Sequence, residues 1–157
     1  MSELYLRKAT NEDCLWLFEL ANDSLVRKNS KNSEDIFWGD HEKWFKNRLI
    51  SSSTFIYIGY DKEEPIGQIR FDLDNGNWLI DYSIIPEKRG KGFGVSIINK
   101  GIETLLTELI EKPVSILAEV LDFNISSKRV FEKCGFELVN QHELSRTNMF
   151  TYRLKII

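Results

Sequence analysis

Cysteine, histidine and proline are all scarce in this chain, which has two, two and three of them among 157 residues. The two cysteines, Cys14 and Cys134, make neither a disulfide framework nor the paired spacing of a metal site, so no metal is expected. Both fall in apolar-periodic runs and read as small buried hydrophobes. Little proline beside ordinary apolar content excludes a disordered chain. No apolar run approaches the roughly 20 residues that a membrane helix needs, and the charged N-terminus from Glu3 onward lacks the apolar stretch of a signal peptide. No membrane association and a cytoplasmic setting are therefore expected. An excess of either charge is also missing. With 21 basic and 24 acidic residues the net charge is -3, which argues against general nucleic-acid binding. The length suits one domain, residues 1-157, with a core large enough to fold unaided.

What is present is concentrated in the stretch Ile84-Ile85-Pro86-Glu87-Lys88-Arg89-Gly90-Lys91-Gly92-Phe93-Gly94. An apolar strand end, a proline stop and three alternating glycines precede an apolar-periodic run from Val95 to Ile110. The pattern predicts a strand running into a glycine-rich turn that opens a helix. Such a turn leaves backbone N–H groups unpaired, and the positive end of the helix dipole adds to them. Glycine lets the backbone approach an anion without an intervening Cβ, while Arg89 and Lys91 supply formal charge. An anion cradle, best suited to a diphosphate, is the expectation. The glycines run G-x-G-x-G, so the dinucleotide fingerprint G-x-G-x-x-G does not fit, and no G-x-x-x-x-G-K-[ST] string occurs.

Taken in order, Leu4 to Ala9 alternates as a short strand, and Thr10 caps a helix carrying Cys14, Leu17, Phe18 and Ala21 on one face. Val26 to Trp38 reads as irregular chain with a further helical turn, long enough to suggest a substrate-binding segment. Asp40 is placed to cap a helix through Leu49. Thr54 to Tyr60 and Ile66 to Leu73 read as strands joined through Asp61–Pro65, and Asn75-Gly76 signals the hairpin to a strand from Trp78 to Ile85. After Lys112-Pro113, Val114 to Val120 is apolar enough for a strand buried on both faces. Asn124 to Lys133 predicts a helix stopped at Gly135, and Phe136 to Gln141 and Phe150 to Ile156 close the chain as strands. The fold class expected is α+β with a mixed sheet.

Two motifs carry a resemblance. One is Arg-x-x-Gly-x-Gly, as Arg89, Gly92 and Gly94, following a strand that ends two residues before Pro86. The other is the segment from Asn124 to Phe136, matching N-x-x-[AS]-x-x-[LV]-[YF]-x-K-x-G-F. Together, and in this order, they resemble the GNAT N-acetyltransferase family. The resemblance implies a central, mostly antiparallel sheet flanked by helices and splayed between its fourth and fifth strands. It implies acetyl-CoA as cosubstrate and direct attack of a primary amine on the thioester. Tyr82, Ser83 and Ile84 would pair with the pantetheine arm through their backbone. Arg89, Gly90, Lys91, Gly92, Phe93, Gly94 and Val95 would hold the pyrophosphate, with Asn124 and Ser127 completing the cofactor site. Lys128 and Arg129 are either phosphate partners or a solvated helix face.

The chemistry asks for a base, an acid and a donor for the developing oxyanion. Glu119, five residues before Asn124, is the first candidate base, and Asp81 the alternative. Either could instead be a structural ion-pair partner. Many relatives carry a tyrosine acid where this chain has Phe131, so water or another tyrosine must protonate the thiolate, or the amine's proton passes to it directly. The acceptor side is expected from the early helices. There, Val26 to Phe45 resembles enzymes of the pseudaminic-acid type that acetylate nucleotide-linked 4-amino sugars. Arg27, Trp38, His41, Trp44 and Arg48 are the substrate-binding candidates, with His41 a weaker candidate base. Alternatives are a protein N-terminal amine, a polyamine, an antibiotic amine, or a CoA-binding module without catalysis. A small-molecule partner is expected, and a homodimer is left open.

Overall fold

Residues 56–59 and 66–69 are each buried without a break, because the central strands of a single sheet carry an apolar core on each face. The computed structural model describes residues 4–144 and 147–157; the charged start at Glu3 lies outside them. The order is β1 (Leu4–Lys8), a 3-10 turn (Asn11–Asp13), α1 (Cys14–Ala21), α2 (Ser24–Lys28), α3 (Trp38–Leu49), β2 (Thr54–Asp61), β3 (Glu64–Asp74) and β4 (Asn77–Ile84). A 3-10 turn (Pro86–Lys88) leads to α4 (Phe93–Glu108), then β5 (Ser115–Leu121), α5 (Ile125–Lys133), β6 (Glu137–Glu143) and β7 (Asn148–Lys155). The described residues form a seven-stranded sheet of order β1-β2-β3-β4-β5-β7-β6. Every neighbouring pair is antiparallel except β4 and β5. This is the mixed, mostly antiparallel α+β architecture expected. No described helix is long and apolar enough to cross a membrane.

On one face, Phe93, Ile97, Ile98 and Leu105 of α4 pack with Phe131 of α5 onto Ile69, Phe71, Ile80, Ile116, Ala118 and Val120. The helical spacing of the α4 residues makes one apolar stripe, and the strand residues recur at every second position. On the other face, Leu17 of α1 and Phe45 of α3 cover Ile56 and Ile58 of β2. The glycine Gly101 sets how close α4 lies to the sheet, since a Cβ there would come within 2.5 Å of Ile69 Cδ1 and 3.2 Å of its Cγ2.

Three local expectations are corrected. Helix α3 starts at Trp38, with Phe37 in the capping position and Asp40 inside the first turn. The cause lies upstream. The Asn22 side chain clamps both backbone groups of Ile36, at 2.9 and 2.8 Å, and so fixes the chain entering the helix. The β2–β3 connection tightens to Lys62–Glu63, with Lys62 at φ 58°. Pro65 joins β3 opposite Tyr60, at a register shift that tolerates its missing N–H. Finally, β5 is not buried on both faces, because Glu119 is exposed.

Replacing Gly101 by Ala tests the α4 contact. Helix propensity alone favours Ala by up to about 1 kcal/mol, whereas overpacking against Ile69 costs about 1–3 kcal/mol. Denaturant unfolding is expected to show net destabilisation of Gly101→Ala, relieved when Ile69 is shortened to Val or Ala.

Candidate active site

Strands β4 and β5 pair only at Trp78–Ile116 and Leu79–Leu117, after which the ladder ends. Beyond that point the strands diverge and leave a groove of about 630 Å³, lined by Tyr82, Ser83 and Ile84 on one side and Val120 and Asn124 on the other. The N–H of Ile85 donates to Ile66 on β3. Strand alternation therefore turns the N–H groups of Ile84 and Tyr82 toward the open edge.

The glycine turn forms the far end of this groove. Gly90 and Gly92 take φ of 72° and 86°, a left-handed backbone that L side chains resist. Gly92 is the capping residue of α4, so the first helical N–H groups open onto the turn. Gly90, Gly92, Phe93, Gly94 and Val95 all line the groove, and Lys91 is exposed beside it. Arg89 lines it too, but its guanidinium is otherwise engaged. Its Nε donates to the Ile84 carbonyl at 2.9 Å, and its terminal nitrogen to Asp23 at 2.6 Å. Asp23 also caps α2, accepting from the N–H groups of Leu25 and Val26. Burial pulls the Asp23 carboxyl upward, yet Arg89 and the two backbone donors outweigh it and hold it below the ordinary aspartate value.

Helix α5 closes the groove from β5. Asn124 is its N-cap, accepting from the Ser127 N–H at 3.2 Å. Phe131 is buried, edge-on to Tyr82 and Phe136 at 5.6 and 5.0 Å between ring centres. The Tyr82 hydroxyl lies 3.0 Å from Ser127 Oγ. The sequence pointed to the backbone of Tyr82, not to this hydroxyl beside the missing tyrosine. Burial pushes the phenol up, against the opposing bond to Ser127. Lys128 pairs with Asp122 at 2.9 Å rather than turning to the groove, while Arg129 lines it.

A second cleft, of about 600 Å³, opens on the sheet face covered by α1, α2 and α3. Its lining includes Asp40, Asp72, Asp81 and Glu119 among acids, and Arg27, Lys31 and Arg70 among bases. Glu119, Asp81 and Ser83 line both cavities, so the two candidate bases stand where the cavities meet. Glu119 Oε1 accepts from Lys31 Nζ at 3.1 Å. Asp81 accepts from Gln68 at 3.0 Å and faces Arg70 at 3.7 Å.

The remaining acceptor-side candidates have structural partners. Arg27 donates to the carbonyls of Ala21, Asn32 and Glu34, tying α2 to the following loop. His41 is buried, with Nε2–H donating to the Cys14 carbonyl at 3.1 Å. Burial pulls its pKa down, the bond to Cys14 opposing, so its ring is neutral at pH 7. Trp38, Phe18, Trp44 and Phe45 surround that ring. Only His41 and Trp44 of this cluster line the cleft. Arg48 rests on Trp44 and reaches Thr54 and Asp72, each at 3.4 Å.

A groove ending in a glycine turn at a helix N-terminus thus meets a second cleft at two carboxylates. The acetyltransferase (GNAT) domain model matches residues 3–137, and the chain belongs to that family of acetyl-CoA-dependent acetyltransferases. No curated protein sequence matches significantly. Solved structures share the fold at low identity. Spermidine N-acetyltransferase from Vibrio cholerae, in complex with CoA and spermine, superposes with a TM-score of 0.84 at 18% identity, covering 98% of this chain and 95% of that one. The aminoglycoside acetyltransferase AAC(6')-Ib with ribostamycin and coenzyme A gives 0.83 at 21%, covering 98% and 94%. A putative acetyltransferase from Salmonella typhimurium with acetyl-CoA gives 0.77 at 16%, covering 98% and 94%.

The Asp23–Arg89 pair is separable from the helix cap. Asn caps as well as Asp, so Asp23→Asn removes only the charge. The depressed carboxyl contributes fully above the ordinary aspartate value of about 3.9, and its contribution is lost as pH falls through the folded value. Asp23→Asn is expected to cost about 1 kcal/mol or more at pH 7, with the difference from wild type vanishing in acid. Denaturant unfolding against pH checks both.

Proposed function

We propose that the chain acetylates the primary amine of a small cationic acceptor held in the second cleft. The supporting observation is the meeting of the two cavities at Ser83, Asp81 and Glu119. Acetyl-CoA supplies a thioester when bound. The turn from Gly90 to Val95 holds its diphosphate, and the open edge of β4 at Tyr82–Ile84 holds the pantetheine arm. Asn124 and Ser127 bound the same groove. An N–H of that edge is placed to polarise the acetyl carbonyl, and Glu119 accepts the amine's proton.

Charge favours a cationic acceptor over a nucleotide-linked one. Four carboxylates line the cleft against three cations. Arg27 is committed to backbone carbonyls and Arg70 to Asp72, at 2.7 Å, while Arg48 meets Thr54 and Asp72. A nucleotide diphosphate would have to take these cations from their partners. The spermidine and aminoglycoside enzymes that share the fold act on polycationic amines, which agrees with this balance. The nucleotide-linked 4-amino sugar remains in the test. A thiol-release assay over spermidine, an aminoglycoside, a short peptide and a UDP-linked 4-amino sugar is expected to favour a polycation. Glu119→Gln should lower its turnover about 10²-fold or more with little change in acetyl-CoA affinity. Preference for the sugar nucleotide would reinstate the pseudaminic-acid-type reading.

Tyr82 is the proton donor to the departing thiolate in this proposal. Its raised pKa keeps the phenol protonated across neutral pH, and Ser127 fixes its hydroxyl. Tyr82→Phe is expected to lower turnover about 10²-fold and to remove an alkaline limb from the pH–rate profile, leaving the Michaelis constant for acetyl-CoA within a few-fold. The loss should shrink with a thioester whose thiol leaves more readily. Unchanged turnover would return the role to water.

A further inference from the structure

The lysine Lys31 already holds the place an acceptor amine would take. Its Nζ lies 3.1 Å from Glu119 Oε1, across 88 positions of sequence, and its side chain lines the acceptor cleft. The two residues before it, Asn29 and Ser30, line both cavities. The backbone on either side is pinned. Ser30 Oγ donates to the Val26 carbonyl at 2.6 Å, and Arg27 donates to the Asn32 carbonyl at 3.0 Å. The backbone that carries Lys31 is thus anchored within reach of Glu119, while the side chain, 59% exposed, keeps an ion pair that can open. Of the other lysines on either cavity, Lys88 is tied to Glu64 at 3.1 Å, and Lys133 stands at the end of α5 in the cofactor groove.

We propose that Lys31 is an intramolecular acetylation site: in the absence of an external acceptor, the protein transfers the acetyl group of acetyl-CoA to Lys31 Nζ. The inference rests on the reading of Glu119 as the proton acceptor. Lys31 gives one ammonium proton to Glu119, and the freed lone pair forms the C–N bond to the thioester carbonyl carbon. The C–S bond then breaks, and sulfur leaves with its electron pair. Tyr82 protonates that thiolate, the second nitrogen proton replaces the one Tyr82 gave, and Glu119 releases the first to solvent. The products are an Nζ-acetamide, free CoA and one proton. The acetamide has no charge to give Glu119, so the modified protein has lost this ion pair. Holding amine and thioester in one molecule replaces a bimolecular encounter, which is why Lys31 should outpace exposed lysines that meet acetyl-CoA only by diffusion.

The test incubates the full chain with acetyl-CoA and no acceptor, and follows each lysine by peptide mass spectrometry. Lys43, Lys46 and Lys62, all exposed, serve as internal controls. Lys31 is expected to gain an acetyl group at least about tenfold faster than the controls, with a rate constant independent of protein concentration. In Glu119→Gln the Lys31 rate should fall about 10²-fold while the control lysines are unchanged. Lys31→Arg should abolish the signal at position 31 while Lys43, Lys46 and Lys62 label at their wild-type rates. Labelling of Lys31 no faster than Lys62, labelling proportional to protein concentration, or labelling unaffected by Glu119→Gln would each overturn the proposal. External turnover with no Lys31 labelling would overturn it while leaving the acetyltransferase reading standing. Absence of both would overturn the two together.

Discussion

The β4–β5 ladder stops after two residue pairs, and both cavities depend on that stop. A parallel ladder continued to Ile84 would satisfy the edge of β4 with β5 and leave no room between them. Because it stops, the N–H groups of Tyr82 and Ile84 need another partner, and an extended amide-bearing chain is the complementary shape. Side chains take over the role of the ladder at the divergence. Tyr82 reaches Ser127 across the gap, and Phe131 fills the space beside it. The sheet is held open by packing on the α4 and α5 face, without backbone bonding across it.

Arg89 connects the groove to the acceptor side. One guanidinium holds the last carbonyl of β4 and the capping aspartate of α2 together, so the glycine turn and the first wall of the second cleft share a fixed point. Val26, Asn29 and Ser30, which line both cavities, hang from that helix and its exit. Arg89, expected to supply charge to a diphosphate, lines the groove and also ties these two segments together.

The fold was legible because its signals are local. Gly90 and Gly92 announce a left-handed turn, Asn75-Gly76 a hairpin, and Asn124 a helix cap, each within a few residues. What the sequence did not disclose is paired over long separations. Arg89 meets Asp23 over 66 positions, Tyr82 meets Ser127 over 45, and Lys31 meets Glu119 over 88. No periodicity reports which long side chain will bridge two elements that pack only after folding. The start of α3 was misplaced for the same reason, since its cause, Asn22, lies on the far side of the intervening loop. Trp38, His41 and Arg48 stand out in the sequence by residue type alone, whereas their partners are aromatic rings, a backbone carbonyl and a β3 aspartate.

The two carboxylates at the junction differ in how firmly their cation partners are held. Asp81 faces Arg70, which is also bound to Asp72 and lies over the Trp44 ring at 5.1 Å. That guanidinium is fixed in the cleft floor by Asp72 and Trp44, with Asp81 at its outer edge. The partner of Glu119 is a lysine on a loop, with 59% of its side chain exposed. An incoming ammonium can displace it at little cost, because an exposed ion pair contributes only about 0–1 kcal/mol. Under the proposed function a base must exchange its cation for the substrate's in each cycle, and the exposed partner makes Glu119 the better suited of the two. Asp81 is better suited to holding Gln68 and Arg70 in place beneath the acceptor.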